Sequence, residues 1–255
     1  MKKLCTLLFE LSNKDRLRIL TKLQEKAMRL THLSEMLNLP VQETSRHLAR
    51  LTGTKLIFKG VDGFYRPTPY GEHAMRLLPG FQFLSKHSEY LTTHTISHLP
   101  DEFVTRIGDL RNCTFTDEVM VAFHAVENLI QMAQKHVWIL SDQILMSTLP
   151  FLEEAIKCGV EFRLILPEDM IPPPGFKPIP EIPKLIMRRT LKRVEVIATL
   201  SEKEARIAFP TIEERMDHIG FGSTDESSHK WCRDLFLYYW ERADPGKPKG
   251  YPPPP

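Results

Sequence analysis

The segment VQETSRHLAR, residues 41–50, puts seven hydrogen-bonding side chains into one short stretch: Gln42, Glu43, Thr44, Ser45, Arg46, His47 and Arg50. Their chemistry suits the edges and backbone of duplex nucleic acid. Arg can pair bidentately with guanine and Gln with adenine, while Ser, Thr and Arg also hold phosphates. Glu43 is the exception, because phosphate repels it unless it pairs with cytosine or a neighbouring Arg. A little further on, KLIFKGVDGFYRPTP adds Lys59, Tyr65 and Arg66, a set suited to phosphate or minor-groove contact.

A second group of polar residues follows apolar runs in the later part of the chain. Ser141, Asp142 and Gln143 come after HVWIL; Pro167, Glu168 and Asp169 come after VEFRLIL; Ser223, Thr224 and Asp225 precede the last helical stretch. At the carboxyl ends of parallel strands, or at a helix N-terminus, such groups can receive a small anionic ligand. Asp142, Gln143, Arg163, Ser223, Thr224 and Asp225 are therefore the candidate effector contacts, with Arg188 and Arg189 as further cations. The competing reading is capping: STDE is an S-x-x-E capping box, and Asp142 suits a turn. His94 and His98 are four apart, but two histidines without a third ligand make a poor metal site. No metal and no cofactor is expected.

Elements able to position the first group can be read from the spacing. Residues 4–11 form an apolar-rich helix. Ser12 and Asp15 resemble a capping box opening a helix with Leu17, Ile19, Leu20 and Leu23 inward. Thr31 caps a short helix with Leu33, Met36 and Leu37 inward. Pro40 suits the start of the next helix, 41–51, with Val41, Ser45, Leu48 and Leu51 inward. Asp62-Gly63 marks a tight turn, so 55–68 reads as a β-hairpin. This order is that of a winged helix-turn-helix over residues 1–68. A helical stretch over 69–91, broken or bent near Pro79–Gly80, follows and offers Leu77, Leu78, Phe81 and Leu84 as a dimer seam; residues 69–100 serve as connecting helix and linker.

From residue 101 to 244 the pattern alternates. Helices are expected at 102–111, 117–135 and 148–159, at KLIMRRTL and over 225–243. Strands are expected at 136–142, 160–167 and 193–199, with shorter ones at RIAFP and HIGFGS. Such alternation predicts an α/β domain with a mostly parallel sheet flanked by helices. The last helix carries Trp231, Leu235, Tyr238 and Tyr239 as an apolar stripe. A Pro-rich loop occupies 167–183, and the Pro-rich tail, 245–255, is expected to be disordered.

The bulk properties agree with two domains. The chain has 255 residues, 42% hydrophobic and 26% charged. Residues 1–91 carry 15 Lys and Arg against 8 Asp and Glu, and the remainder 19 against 24. The basic share thus lies with the helix-turn-helix, where a polyanion would be met. No apolar run reaches the roughly 18 residues of a membrane span. LCTLLFEL is too short for a signal peptide and contains Glu10. The four cysteines are far apart and form no C-x-x-C pair, which fits buried thiols in a reducing cytoplasm.

LTHLSEMLNLPVQETSRHLARLTGTKLIFKGVDGFYRPTPYGEHA resembles the winged-helix domain of ArsR-type regulators. FGSTDESSHKWCRDLFLYYWERA, with VWILSDQ and CGVEFRLILPED, resembles the C-terminal domain of the Fil-type regulators of methanogenic archaea. Together the resemblances imply a cytoplasmic, dimeric transcriptional regulator of double-stranded DNA with a regulatory domain; separately from them, that domain is expected to bind a small effector, the alternative being control by a signalling protein. The order VWILSDQ…FLEEAIKCGVEFRLIL also resembles the phospholipase D fold, which the TrmB regulators use as a sensor. Enzymes of that fold need H-x-K-x4-D. Neither His218 nor His229 has a Lys two residues later, so the implied role is sensing rather than catalysis. The enzymatic alternative is an α/β catalytic domain with a winged-helix docking module.

Overall fold

A computed structural model describes residues 1–177 and 185–251. The chain divides into two compact units, Met1–Phe81 and Gln82–Pro255. The first unit begins with α1 (Lys2–Leu11), α2 (Lys14–Glu25), α3 (Leu30–Leu37) and α4 (Val41–Gly53). Strands β1 (Ile57–Lys59) and β2 (Tyr65–Pro67) follow as an antiparallel hairpin, with Phe58 opposite Arg66. Gly63 takes φ 78° in the turn, which a side chain would strain. Met28 pairs with Tyr65 through both backbone hydrogen bonds and so adds a third, one-residue strand beside the hairpin. The core of this unit is built from Ile19, Leu20, Leu23, Leu33, Leu48, Leu51 and Leu56.

Several local expectations shift. Asn13, not Ser12, caps α2, accepting from the Arg16 amide at 3.0 Å. α3 starts at Leu30 without a side-chain cap, and Met36 is exposed while Ser34 is buried. α3 ends on Asn38 in the left-handed conformation, φ 52°, a turn that Asn tolerates. Pro40 then opens α4, where its missing N–H costs nothing. The expected stretch 69–91 is two helices, α5 (Pro69–Lys86) and α6 (Ser88–Thr93), and α5 runs through Pro79 rather than breaking there.

The second unit holds an eight-stranded sheet. Its strands are β3 (Thr114–Thr116), β4 (His136–Leu140), β5 (Glu161–Pro167), β6 (Ile186–Leu191), β7 (Ile197–Ser201), β8 (Ala205–Ala208), β9 (Gly220–Ser223) and β10 (Asp244–Pro245). They lie in the order β10-β6-β5-β4-β7-β8-β9-β3. Helices α7 (Asp101–Thr105), α8 (Val119–Met132), α9 (Leu149–Lys157) and α10 (Glu226–Arg242) accompany it.

The expected mostly parallel sheet is corrected: it is mixed. Among the described residues only β4–β5 and β5–β6 pair in parallel, and the other five pairings are antiparallel. Parallel neighbours need a long crossover, which α9 supplies between β4 and β5. β7 and β8 are instead joined by a tight turn, where Ser201 Oγ accepts from the Lys203 and Glu204 amides. KLIMRRTL is a strand over Ile186–Leu191, not a helix. Its Leu, Met and Arg are good helix formers, but the backbone ladder to β5 overrides that propensity.

Alternation along the central strands gives the sheet two faces. Leu140, Ile165, Ala198 and Leu200 pack with Trp231, Leu235 and Phe236 of α10. Ile139, Leu164, Ile197 and Thr199 face the other way and line a cleft. The first part of the tail is ordered, against expectation: β10 pairs with β6, and the Lys249 amide donates to the Glu168 carbonyl at 2.7 Å. Residues 178–184 of the expected Pro-rich loop, and 252–255, lie outside the described residues. Cys113 and Cys232 are buried, but Cys5 and Cys158 are exposed, which corrects the expectation of four buried thiols. Among the described residues no helix is long and apolar enough to cross a membrane.

Candidate functional site

α4 presents a narrower polar face than its sequence suggests. Gln42, Ser45 and Arg46 are exposed, and none of the three makes a side-chain hydrogen bond or ion pair among the described residues. Glu43 is partly exposed. Thr44 and His47 are buried, which removes them from the surface expected to meet DNA. Thr44 can afford burial because its hydroxyl donates to the Pro40 carbonyl at 3.1 Å. Val41 and Ser45, expected inward, point outward. Leu48 and Leu51 stay inward as expected, while Thr44 and His47 replace Val41 and Ser45, so the buried face is displaced by roughly 60° about the axis.

Arg50 is exposed but occupied. Its Nη2 and Nε reach the two carboxylate oxygens of Glu10 at 2.7 and 3.3 Å. Arg16 meets the same carboxylate through Nε at 2.9 Å, and both guanidiniums lie over the Phe9 ring. Arg50 therefore ties α4 to α1.

On the hairpin, Lys59 is exposed and lies over the Tyr65 ring at 5.7 Å, whereas Tyr65 itself packs against the core. Arg66 is held by Asp62, with contacts of 3.0 and 2.6 Å. This guanidinium, together with the Phe64 amide, holds the Asp62 carboxyl down at about 2. The pair stiffens the turn, and Val61 projects at its tip.

In the second unit the cleft is lined mainly by aliphatic side chains from β4, β5, β6, β7, α8 and α9, and encloses about 800 Å³ including its open mouth. Its polar lining comes from Ser141, Gln143, Thr148, Arg188, Thr199 and His218. Gln143 Nε2 donates to His218 Nε2 at 2.8 Å, a contact that requires an imidazole nitrogen without a proton. Burial pushes the His218 imidazole down and the Asp142 carboxyl up, so both are biased toward their neutral forms. His218 holds φ 64°, unusual for a residue with a side chain.

Of the expected effector contacts, Gln143 lines the cleft, and Asp142 sits 3.7 Å from His218; Arg163 borders it, but its guanidinium lies on the α10 face of the sheet, over the Trp138 and Trp240 rings. Arg163 is also held by Glu161 at 3.0 Å. Ser223, Thr224 and Asp225 do not line it. Asp225 is the N-cap of α10, accepting from the Ser228 amide, the Ser227 hydroxyl and Asn112, which hold its carboxyl well below the usual range. Ser223 accepts from the Asp225 amide, and Thr224 borders a separate polar hollow with Lys203 and Arg233. Sequence reasoning weighed His218 only as a nucleophile and missed Tyr251, which reaches the cleft from the tail. His94 and His98 are engaged apart, with Asp217 at 3.0 Å and Glu214 at 3.7 Å.

No protein-family model matches the chain, and no curated protein does. Among solved structures, TrmBL2, described as an archaeal chromatin protein whose structure shows a novel mode of DNA binding, is 14% identical. It covers 86% of this chain and 89% of that one, with a TM-score of 0.45. NucT from Helicobacter pylori is 8% identical over 53% of this chain and 98% of that one, with a TM-score of 0.37. IdeR from T. acidophilum is 15% identical over 84% and 98%, with a TM-score of 0.24. Likenesses at this level carry no functional conclusion.

Proposed function

We propose that this chain is a DNA-binding transcriptional regulator. The observation that carries the reading is the exposed, unpaired set Gln42, Ser45 and Arg46 on α4, the helix that follows the Asn38 turn. A helix about 10 Å across fits a major groove about 12 Å wide, with its first turns nearest the bases. Lys59 supplies a phosphate contact from the hairpin. Arg50 and Arg66 are committed to Glu10 and Asp62, so base reading falls to Gln42 and Arg46.

Binding of the purified chain to duplex from upstream of its own gene, against random duplex at two salt concentrations, tests this. Sequence preference with a steep loss of affinity at higher salt is expected. Arg46→Ala should cost about 1–3 kcal/mol in specific binding and relax preference at one base position. Equal affinity for both duplexes, unchanged in Arg46→Ala, would reject the assignment.

A single helix-turn-helix covers one half-site, so a symmetric dimer is part of the reading. Leu77 and Phe81, 72% and 62% exposed, support it, while Leu78 packs into the first unit's own core and is withdrawn from the expected seam. A footprint confined to one half-site would remove the dimer.

The cleft favours a small effector over a signalling protein. Its lining fits an apolar molecule with one acceptor or carboxylate directed at Arg188 and the Gln143–His218 pair. Medium-chain and aromatic carboxylates are expected to raise the melting point read by tryptophan fluorescence, since Trp138, Trp231 and Trp240 all lie in the second unit. Leu149→Trp, which fills the cleft, should abolish that shift. A shift that survives it would place the ligand elsewhere.

A further inference from the structure

We infer that the helix-turn-helix contains a binding site for a first-row divalent cation, formed by Asp15, Glu43 and His47. His47 is 7% exposed, and neither of its ring nitrogens has a hydrogen-bond partner among the described residues. A buried imidazole with both nitrogens unsatisfied is costly and calls for a partner. Two carboxylates supply one. Glu43 lies one helical turn before His47, with Oε1 at 3.7 Å from Nε2. Asp15 comes from the first turn of α2. One donor atom from each residue lies within 4.8 Å of the other two.

The geometry is close to that of an occupied site. Ligand bonds of about 2.0–2.2 Å in a tetrahedron put neighbouring donors about 3.4 Å apart. Glu43 and His47 are nearly there, and Asp15 closes by side-chain rotation. The donor set of one imidazole and two carboxylates suits Zn²⁺ or its neighbours rather than Cu⁺, and it leaves a position for water. Two carboxylate charges balance the dication. Arg18 Nη1 contacts Asp15 Oδ1 at 3.0 Å, but the carboxylate's other oxygen and remaining lone pairs stay available. A bound cation would join the start of α2 to the middle of α4 and fix the azimuth of the face that carries Arg46.

This site stands independently of the regulator reading, because metal binding is measured without DNA. The full chain, freed of metal with EDTA, is dialysed against Zn²⁺, and Co²⁺ is added in parallel for its ligand-field absorption. One equivalent per chain is expected, with intense bands of low-coordinate Co²⁺. Glu43→Gln, at a partly exposed position that leaves folding intact by circular dichroism, should weaken Zn²⁺ at least tenfold. His47→Gln should do so more strongly. His229→Gln, in the second unit, should leave binding unchanged. Zn²⁺ bound equally by wild type, Glu43→Gln and His47→Gln overturns the site, as does failure of the wild-type chain to retain stoichiometric metal.

Discussion

Glu10→Ala is expected to destabilise the first unit by about 3–5 kcal/mol, enough to leave it largely unfolded at moderate temperature. Glu10 is 2% exposed and its carboxylate sits between two guanidiniums, those of Arg16 and Arg50. Arg16 is itself buried, and besides the Glu10 carboxylate it meets two carbonyls, of Phe9 and Glu10 at 2.7 and 3.0 Å, and the Phe9 ring, none of which carries a charge. Truncation would leave this cation buried without a counter-charge, the costly case; the net worth of the intact triad over an apolar one is smaller. Circular dichroism follows the helices of both units, while fluorescence follows only the second, where every tryptophan lies. An early loss of ellipticity with an unmoved fluorescence transition is the expected pair of results. Coincident, unshifted transitions would mean that the triad is solvated. The triad also links α1 to the face of α4 beside Arg46, so Glu10→Gln, which keeps the volume and removes the charge, should weaken DNA binding as well as stability.

Nothing in the spacing announces that triad. Glu10 lies in an apolar helix and meets an arginine forty positions away, a pairing visible only once α1 crosses α4. What was legible is what local chemistry dictates. Asp62-Gly63 specifies a turn because Gly accepts positive φ, and the hairpin follows. The last helix is legible too, although it begins two residues later than the STDE box places it, with Asp225 rather than Ser223 as its cap. The inward face of α4 is only half legible, because spacing counted from Val41 selects Ser45 and passes over Thr44 and His47. Val41 stands on the first turn, beyond the reach of the core, while Thr44 buries a methyl and satisfies its hydroxyl internally. Strand direction was misread for a related reason. Alternating helices and strands imply parallel pairing only where the connection is a crossover, and the Ser201–Glu204 turn is not one. The cleft is half legible: strand ends give Gln143 and the charge pattern offers Arg188, but His218 and Tyr251 converge on it from segments whose neighbours the sequence does not reveal.

Trp231→Ala should be the most damaging change in the second unit. Trp231 is fully buried on α10, with its ring edge-on to Phe103 and Phe209 at centroid distances of 5.5 and 6.5 Å. Its Nε1 donates to the Phe103 carbonyl at 3.2 Å, so the ring joins α7 to the sheet. Removing a buried indole costs about 3–5 kcal/mol, and the stranded carbonyl keeps the loss at the upper end. For a unit of this size that lowers the melting point by roughly 6–20 °C. Trp231→Phe keeps most of the packing and loses the donor, so a drop near 1–2 kcal/mol is expected. The two faces of the sheet add a second readout. Trp231 packs against Ala198 and Leu200, whereas the cleft is lined by Ile197 and Thr199 on the opposite side of the same strand. A carboxylate ligand should therefore still raise the melting point of Trp231→Ala, by about as much as in the wild type and from a lower start. Loss of that increment in a folded variant would mean that the two faces are not separate, and that the strand positions do not define the cleft as assigned.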